Sequence, residues 1–183
     1  MKTPILGSSY VARSVNAADS RMVNLFPEAV PEGGKEAAFL QRAPGLKFLQ
    51  AVGSGPIRGL WVAKAHTDQM YVVSGVNVYK LSSPTGTPTL IGQVSGTGPV
   101  SIADNGTQIF FACNGPSYIY NIDTGVFGPI TDPDFPGAVT VGFLDGYFVF
   151  NEPNSQKVWV TALLDGYDIN ADRKSTRLNS SHT

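Results

Sequence analysis

Cysteine and histidine are nearly absent from this chain, which holds one cysteine and two histidines in 183 residues. A single cysteine can form neither an internal disulfide nor a zinc site built on several cysteine ligands. Cys113 ends the apolar run Ile109–Cys113, so a buried and inert thiol is favoured over a nucleophile. We expect no metal site and no cofactor.

Long hydrophobic runs and an excess of one charge are also lacking. No stretch of 18 or more apolar residues could span a bilayer, and Met1–Tyr10 has no apolar core long enough for a signal peptide. The chain has 13 Lys and Arg against 14 Asp and Glu, a net charge of -1. This balance excludes nonspecific electrostatic binding to nucleic acid or to an anionic membrane over a broad basic surface. We expect a soluble protein that is made in a cytoplasm.

Short β-type runs separated by turns fill the chain from Ile57 onward. The pairs Asn105-Gly106 and Asp145-Gly146 stand between apolar runs, and both residues of such a pair are expected to adopt positive φ in a hairpin turn. No window after Ile57 has the 3.6-residue apolar period of a helix. The sequence therefore predicts an all-β fold.

These runs recur at a nearly constant spacing. Met70, Ile109 and Tyr147 open equivalent strands 39 and 38 residues apart, and each lies within a set of four predicted strands. Four strands in about 40 residues is the size of a β-propeller blade, although a β-sandwich also has evenly spaced strands. We predict a partial β-propeller over residues 56–171, with about three four-stranded blades of an incomplete ring, truncated at its C-terminal end.

Residues 1–55 differ in composition and are predicted to form an extended N-terminal arm. Val23–Phe26 predicts a short strand that ends at Pro27. Lys35–Arg42 could form a two-turn helix or a strand, because Ala and Glu favour a helix while the segment is short and Pro44 follows closely. We predict a strand that pairs back on the first across Gly33-Gly34.

The end of the chain breaks from this pattern. Residues 172–182 are polar, basic and aperiodic, and they match codon by codon the translation of a common DNA-sequencing adapter. We interpret residues 172–183 as a non-native, adapter-derived tail and exclude them from the fold. Residues 1–171 then carry 10 basic and 13 acidic residues, a net charge of -3.

Three short motifs follow one another in the arm and the first predicted blade: Arg21–Glu28, Phe39–Leu46 and Arg58–Leu60. Their order and spacing resemble the packaged-DNA stabilisation proteins, or tail accessory factors, of short-tailed double-stranded DNA phages, and the wider group of tail-tube nozzle proteins. The resemblance covers residues 3–171. The positions that match the recurring residues of the family are Arg21, Asn24, Pro27, Glu28, Pro44, Gly45, Arg58 and Gly59. We predict structural roles for these positions, and Pro44-Gly45 fits a type II turn.

The resemblance implies a structural virion protein and no enzyme. Members of the family form a ring of like subunits below the portal and its adaptor after genome packaging. The ring helps to retain the DNA, forms part of its exit channel and contacts other tail proteins. The implied location is the virion tail, after synthesis in the bacterial host cytoplasm, and the packaged DNA passes or abuts the channel without sequence-specific binding. The family has no catalytic residues to carry over.

The alternative function is a propeller-type carbohydrate-binding module or a glycoside hydrolase fragment. Hydrolysis needs two carboxylates facing each other across a cleft, and Asp132 and Asp134 are the nearest candidates. Both residues flank prolines in a predicted loop, where a solvated turn is the simpler interpretation. An exposed aromatic stripe on one face would favour carbohydrate binding.

Overall fold

A computed structural model of the chain describes residues 24–29, 38–63, 65, 68–169 and 175–176. The chain divides into two compact units, Met1–Phe48 and Leu49–Thr183. No helix among the described residues is long and apolar enough to cross a bilayer.

In the described part of the first unit, β1 (Leu25–Ala29) and β2 (Ala38–Arg42) form a β-hairpin. The strands are antiparallel, with Leu25 opposite Arg42 and Ala29 opposite Ala38. The predicted pairing across the Gly-Gly loop is confirmed, whereas the prediction that the first strand ends at Pro27 is wrong. Pro27 lies inside β1, opposite Leu40. Proline is tolerated there because a strand of a two-stranded sheet has one free edge, where a missing N–H costs no ladder bond.

The second unit holds three sheets of four main strands each. Blade A consists of β3 (Ile57–Val62), β4 (Met70–Ser74), β5 (Asn77–Leu81) and β6 (Thr89–Gln93). Blade B consists of β7 (Ser101–Asp104), β8 (Gln108–Ala112), β9 (Ser117–Asn121) and β10 (Phe127–Pro129). Blade C consists of β11 (Val141–Leu144), β12 (Tyr147–Asn151), β13 (Lys157–Ala162) and β14 (Asp165–Ile169).

In each blade the strands are antiparallel and follow one another in chain order across the sheet. The first strands, β3, β7 and β11, lie beside one another, so the blades stack in the order A, B, C. This is the arrangement of neighbouring propeller blades, and it confirms the predicted all-β fold with four-stranded blades. The described residues form no closed ring.

The stacking explains the uninterrupted apolar run of β8. Ile109 and Phe111 point into a cluster shared with blade A, while Phe110 and Ala112 point into a second cluster shared with blade C. All four side chains are fully buried. A strand covered on both faces needs apolar residues at every position, because successive side chains point to opposite faces.

The two predicted hairpin turns differ in detail. Asp145 and Gly146 both have positive φ, 50° and 88°, as predicted for a two-residue turn. In the other turn only Gly106 has positive φ, at 96°, so the prediction for Asn105 is wrong. That loop is three residues long, and the Asn105 side-chain oxygen holds it by accepting hydrogen bonds from the backbone N–H groups of Thr107 and Gln108, at 3.0 and 2.7 Å.

A further short strand, β15 (Ser175–Thr176), pairs with β13 opposite Lys157 and Val158. It lies in the segment predicted to be adapter-derived. The origin of that segment stays a prediction.

Candidate functional site

The two acidic residues of the enzyme alternative do not face each other across a cleft. Asp132 accepts a hydrogen bond from the backbone N–H of Asp134 at 2.8 Å, and its other carboxylate oxygen accepts one from the N–H of Ile169 in blade C at 3.0 Å. Its carboxylate therefore ties the loop that follows blade B to blade C. Asp134 is exposed.

A shallow cleft of about 300 Å³ lies near this loop and is lined chiefly by Pro116, Pro129, Phe135 and Pro136. No ionisable side chain lines it. All of the aromatic residues described in the Leu49–Thr183 unit are buried or half-buried. The aromatic stripe that would favour carbohydrate binding is therefore not found in this part of the chain.

Cys113 is buried, with 5% of its surface exposed, and belongs to the cluster between blades A and B. Burial raises the pKa of its thiol to about 11, although the nearby Arg58 charge acts in the opposite direction. A thiol that stays protonated at neutral pH is a poor nucleophile. This environment agrees with the predicted inert cysteine.

The raised pKa of Cys113 gives the protein a measurable sensitivity to alkali. The thiol of the unfolded chain loses its proton near the ordinary pKa of 9.0, whereas the folded protein keeps that proton up to about pH 11. The stability that the buried, protonated thiol contributes is therefore complete below pH 9 and is lost as the pH rises towards 11. Between pH 8 and pH 10.5 the free energy of unfolding of the native sequence should fall by about 2 kcal/mol more than that of Cys113→Ala. Urea titrations of both proteins at the two pH values test this, and equal losses would contradict it.

The family-motif residues of the first unit lie in and beside the hairpin. Asn24 has a left-handed φ of 55°, and its carbonyl accepts the N–H of Ala43 at 2.8 Å. Glu28 is exposed and pairs with Phe39 across the hairpin. Arg21 lies outside the described residues, and Pro27 lies inside β1 opposite Leu40.

Pro44 and Gly45 follow β2 and are exposed. Gly45 does not have positive φ, which a type II turn requires of its third residue, so the predicted turn is wrong. The chain continues without a turn from β2 through residues 43–50.

Arg58 holds the connection between blades A and B. The residue is 9% exposed, and its guanidinium donates hydrogen bonds to the carbonyls of Gly98 at 2.6 Å, Gly75 at 2.7 Å and Ser95 at 2.9 Å. Ser95 and Gly98 lie in the connection from β6 to β7, and Gly75 lies in the turn between β4 and β5. One side chain thereby satisfies three carbonyls of two separate segments, which suits the rigid, planar fork of donors in arginine.

Gly59 lies where blade A comes closest to the start of β7. A Cβ atom on this residue would be 2.9 Å from the side chain of Ile102 and 3.0 Å from the carbonyl oxygen of Val100. A larger residue would require the Ile102 side chain and the backbone at Val100 to shift. Arg58 and Gly59 thus stand together at one joint between two blades.

Several polar contacts between blades have no signal in the sequence. The indole N–H of Trp61 donates to the fully buried Asp104 carboxylate at 2.6 Å, which joins the first strands of blades A and B. Burial also raises the pKa of Tyr71 in this region, with the phenol of Tyr120 and the charge of Asp104 adding to the effect. Nothing in the sequence pattern pairs this tryptophan with this aspartate, which lies 43 residues further along the chain.

The joint between blades B and C has its own polar contacts. Ser101 Oγ accepts the N–H of Val141 at 3.1 Å, and the side-chain oxygen of Gln108 accepts the N–H of Gly166 at 2.8 Å. The side chain of Asn105 donates to the carbonyl of Leu164 at 2.9 Å. A turn residue and two strand residues therefore also connect blades, which the hairpin pattern alone does not indicate.

Replacing Arg58 with lysine should weaken the contact between blades A and B. A lysine ammonium keeps the charge but cannot span three carbonyls in fixed directions, so at least one buried acceptor loses its donor. We expect the free energy of unfolding to fall by about 2 kcal/mol, measured by urea denaturation. The exposed Arg42 supplies the matched control, because Arg42→Lys should change it by less than about 0.5 kcal/mol. Equal effects of the two substitutions would contradict the role given to the Arg58 contacts.

Taken together, the fold and these contacts define an all-β protein of propeller type, in which the buried side chains of Arg58 and Asp104 join two blades. The sequence profile of one family, described as bacteriophage P22 Gp10, beta-propeller, matches residues 1–181. The chain belongs to this family of phage DNA-stabilisation proteins, which are structural and not enzymatic. No curated protein matches the chain.

Solved structures of other proteins show partial similarity. A nidogen/laminin complex matches with a TM-score of 0.47 and 14% identity over 73% of this chain and 51% of its own. The Pan2 WD40 domain of Neurospora crassa matches with a TM-score of 0.45 and 14% identity over 78% of this chain and 41% of its own. The chain thus spans about half or less of the length of these structures.

Proposed function

We propose that the protein is a subunit of the phage tail hub or nozzle, which assembles as a ring below the portal after the genome has been packaged. In this position it helps to retain the packaged DNA and forms part of the channel through which the DNA leaves. The observation that carries the proposal is the family match over residues 1–181. The motifs in the arm and the first blade, which resemble the tail accessory factors, support it.

The mechanism is one of shape and assembly. Identical subunits close a ring through heterologous contacts, in which two different surfaces of neighbouring copies meet. The ring then extends the portal, and the portal, the adaptor and other tail proteins are its partners. The location that follows is the virion tail.

The blades supply a rigid body for such a ring. Buried contacts such as Arg58 with three carbonyls and Trp61 with Asp104 fix one blade against the next. We propose that Arg58 and Gly59 are family-motif residues because they build this joint, and that residues 1–55 act as the arm of the subunit. The net charge of -3 over residues 1–171 suits a conduit that lets DNA pass without binding it tightly.

Electron microscopy tests the ring directly. The protein is mixed with the portal and adaptor proteins of the same phage, and particles are compared with those of portal and adaptor alone. We expect a closed ring of additional density on the adaptor side of the portal. Particles identical to the control, with the added protein remaining monomeric, would contradict the proposal.

A further inference from the structure

Two asparagines in the sequence, Asn105 and Asn114, are followed directly by glycine. The asparagine amide is one of the thermolabile groups of proteins, and a following glycine makes it more reactive, because a residue without Cβ leaves its backbone N–H open to close approach. Asn105 lies in the turn before β8, and Asn114 lies in the turn after it. The structure gives these two side chains very different surroundings.

The side chain of Asn105 is held by hydrogen bonds at both of its polar atoms. Its oxygen accepts the backbone N–H groups of Thr107 and Gln108, at 3.0 and 2.7 Å, and the Thr107 hydroxyl at 3.1 Å. Its nitrogen donates to the carbonyl of Leu164 in blade C at 2.9 Å. The amide carbon of Asn105 can therefore approach the N–H of the next residue only after these bonds break.

The side chain of Asn114 has no such restraint. Asn114 is exposed, and its amide makes no hydrogen bond with any residue that the structure describes. Only the backbone holds this pair, since Gly115 donates its N–H to Ala138 at 3.0 Å and accepts the N–H of Ala138 at 2.9 Å. The N–H of Gly106 is likewise bonded, to Asp104 at 3.0 Å. The two pairs therefore differ chiefly in how firmly the asparagine side chain is held.

We propose that Asn114 is a site of spontaneous deamidation and that the fold protects Asn105 from the same reaction. When the bridge between Gly115 and Ala138 opens, the Gly115 nitrogen bonds to the side-chain amide carbon of Asn114. The amide nitrogen leaves as ammonia and takes the proton of the Gly115 N–H. Water then opens the resulting succinimide, with its hydroxyl going to a carbonyl carbon and its proton to the nitrogen. Opening at one carbonyl gives aspartate, and opening at the other gives isoaspartate.

Isoaspartate at position 114 would loosen the contact between blades B and C. Its main chain runs through the former side chain and is one carbon longer, so Gly115 cannot keep its position. Gly115 and Ala138 form an isolated bridge between the turn after β8 and the connection from β10 to β11. There is little room for a shift, because a Cβ atom on Gly137 would be 3.0 Å from the carbonyl oxygen of Gly115. The reaction therefore weakens this contact with the age of the protein, whatever its function.

Incubation of the native chain in mildly alkaline buffer, then digestion with an acid protease and mass spectrometry, tests the site. We expect deamidation at Asn114 to be roughly tenfold faster or more than at Asn105, because Asn105 must first give up its side-chain hydrogen bonds. In the urea-unfolded chain the two rates should converge, since those bonds are absent. Equal rates in the folded protein, faster reaction at Asn105, or a difference that persists unchanged in urea would overturn the proposal.

Asn114→Asp is the matched control for the effect on the blades. It adds the charge of the product without lengthening the main chain, and aspartate tolerates the left-handed φ of 58° at this position. In the deamidated protein, separated by its added charge, backbone hydrogen exchange at Gly115 and Ala138 should become roughly tenfold faster or more. Exchange in Asn114→Asp should stay near that of fresh protein. Unchanged exchange after deamidation, or equally fast exchange in Asn114→Asp, would contradict the loosening of the blades.

Discussion

The structure depends on one constraint: a four-stranded sheet that is apolar on both faces must be covered on both. Blade B meets this requirement fully, because blade A covers one face and blade C the other. Its inner strand β8 can therefore be apolar at four consecutive positions, Ile109–Ala112. The other features follow from this need. The blades approach closely, so that glycine at position 59 fits without any shift of its neighbours, and polar groups between the blades find partners in the neighbouring blade.

The same constraint applies to the blades at the two ends of the stack. Stacking leaves a blade at each end with one face that no blade of the described chain covers. On blade A, Gly53 lies against Ser74 and Tyr79 of that face, whereas Leu144 and Val158 of blade C are 65% and 38% exposed. A stack of blades thus presents, at each end of its described part, a face against which a further blade can pack.

Much of the fold could be predicted from the sequence, because strand positions and the repeat depend on local patterns. Aromatic and β-branched runs about 40 residues apart gave the blades, and the hairpin of the arm followed from the Gly-Gly loop. The contacts between blades could not be predicted. Whether Arg58 meets three carbonyls, or Trp61 meets Asp104, depends on residues distant in sequence that only stacking brings together. The errors at Asn105 and Gly45 have local causes, since side-chain hydrogen bonds of Asn105 hold a three-residue loop in place of the two-residue turn, and Gly45 does not adopt the positive φ that a type II turn needs.

Stacking is tested most directly by a double-mutant cycle across the joint of blades B and C. The rings of Phe110 and Phe148 lie 5.5 Å apart in the buried cluster between these blades. Phe110→Leu, Phe148→Leu and the double variant are compared by urea denaturation, since leucine preserves burial and removes the ring contact. The structure predicts a coupling of about 0.5–1.5 kcal/mol between the two substitutions. Effects that add to within about 0.3 kcal/mol would contradict the stacking of blade B on blade C.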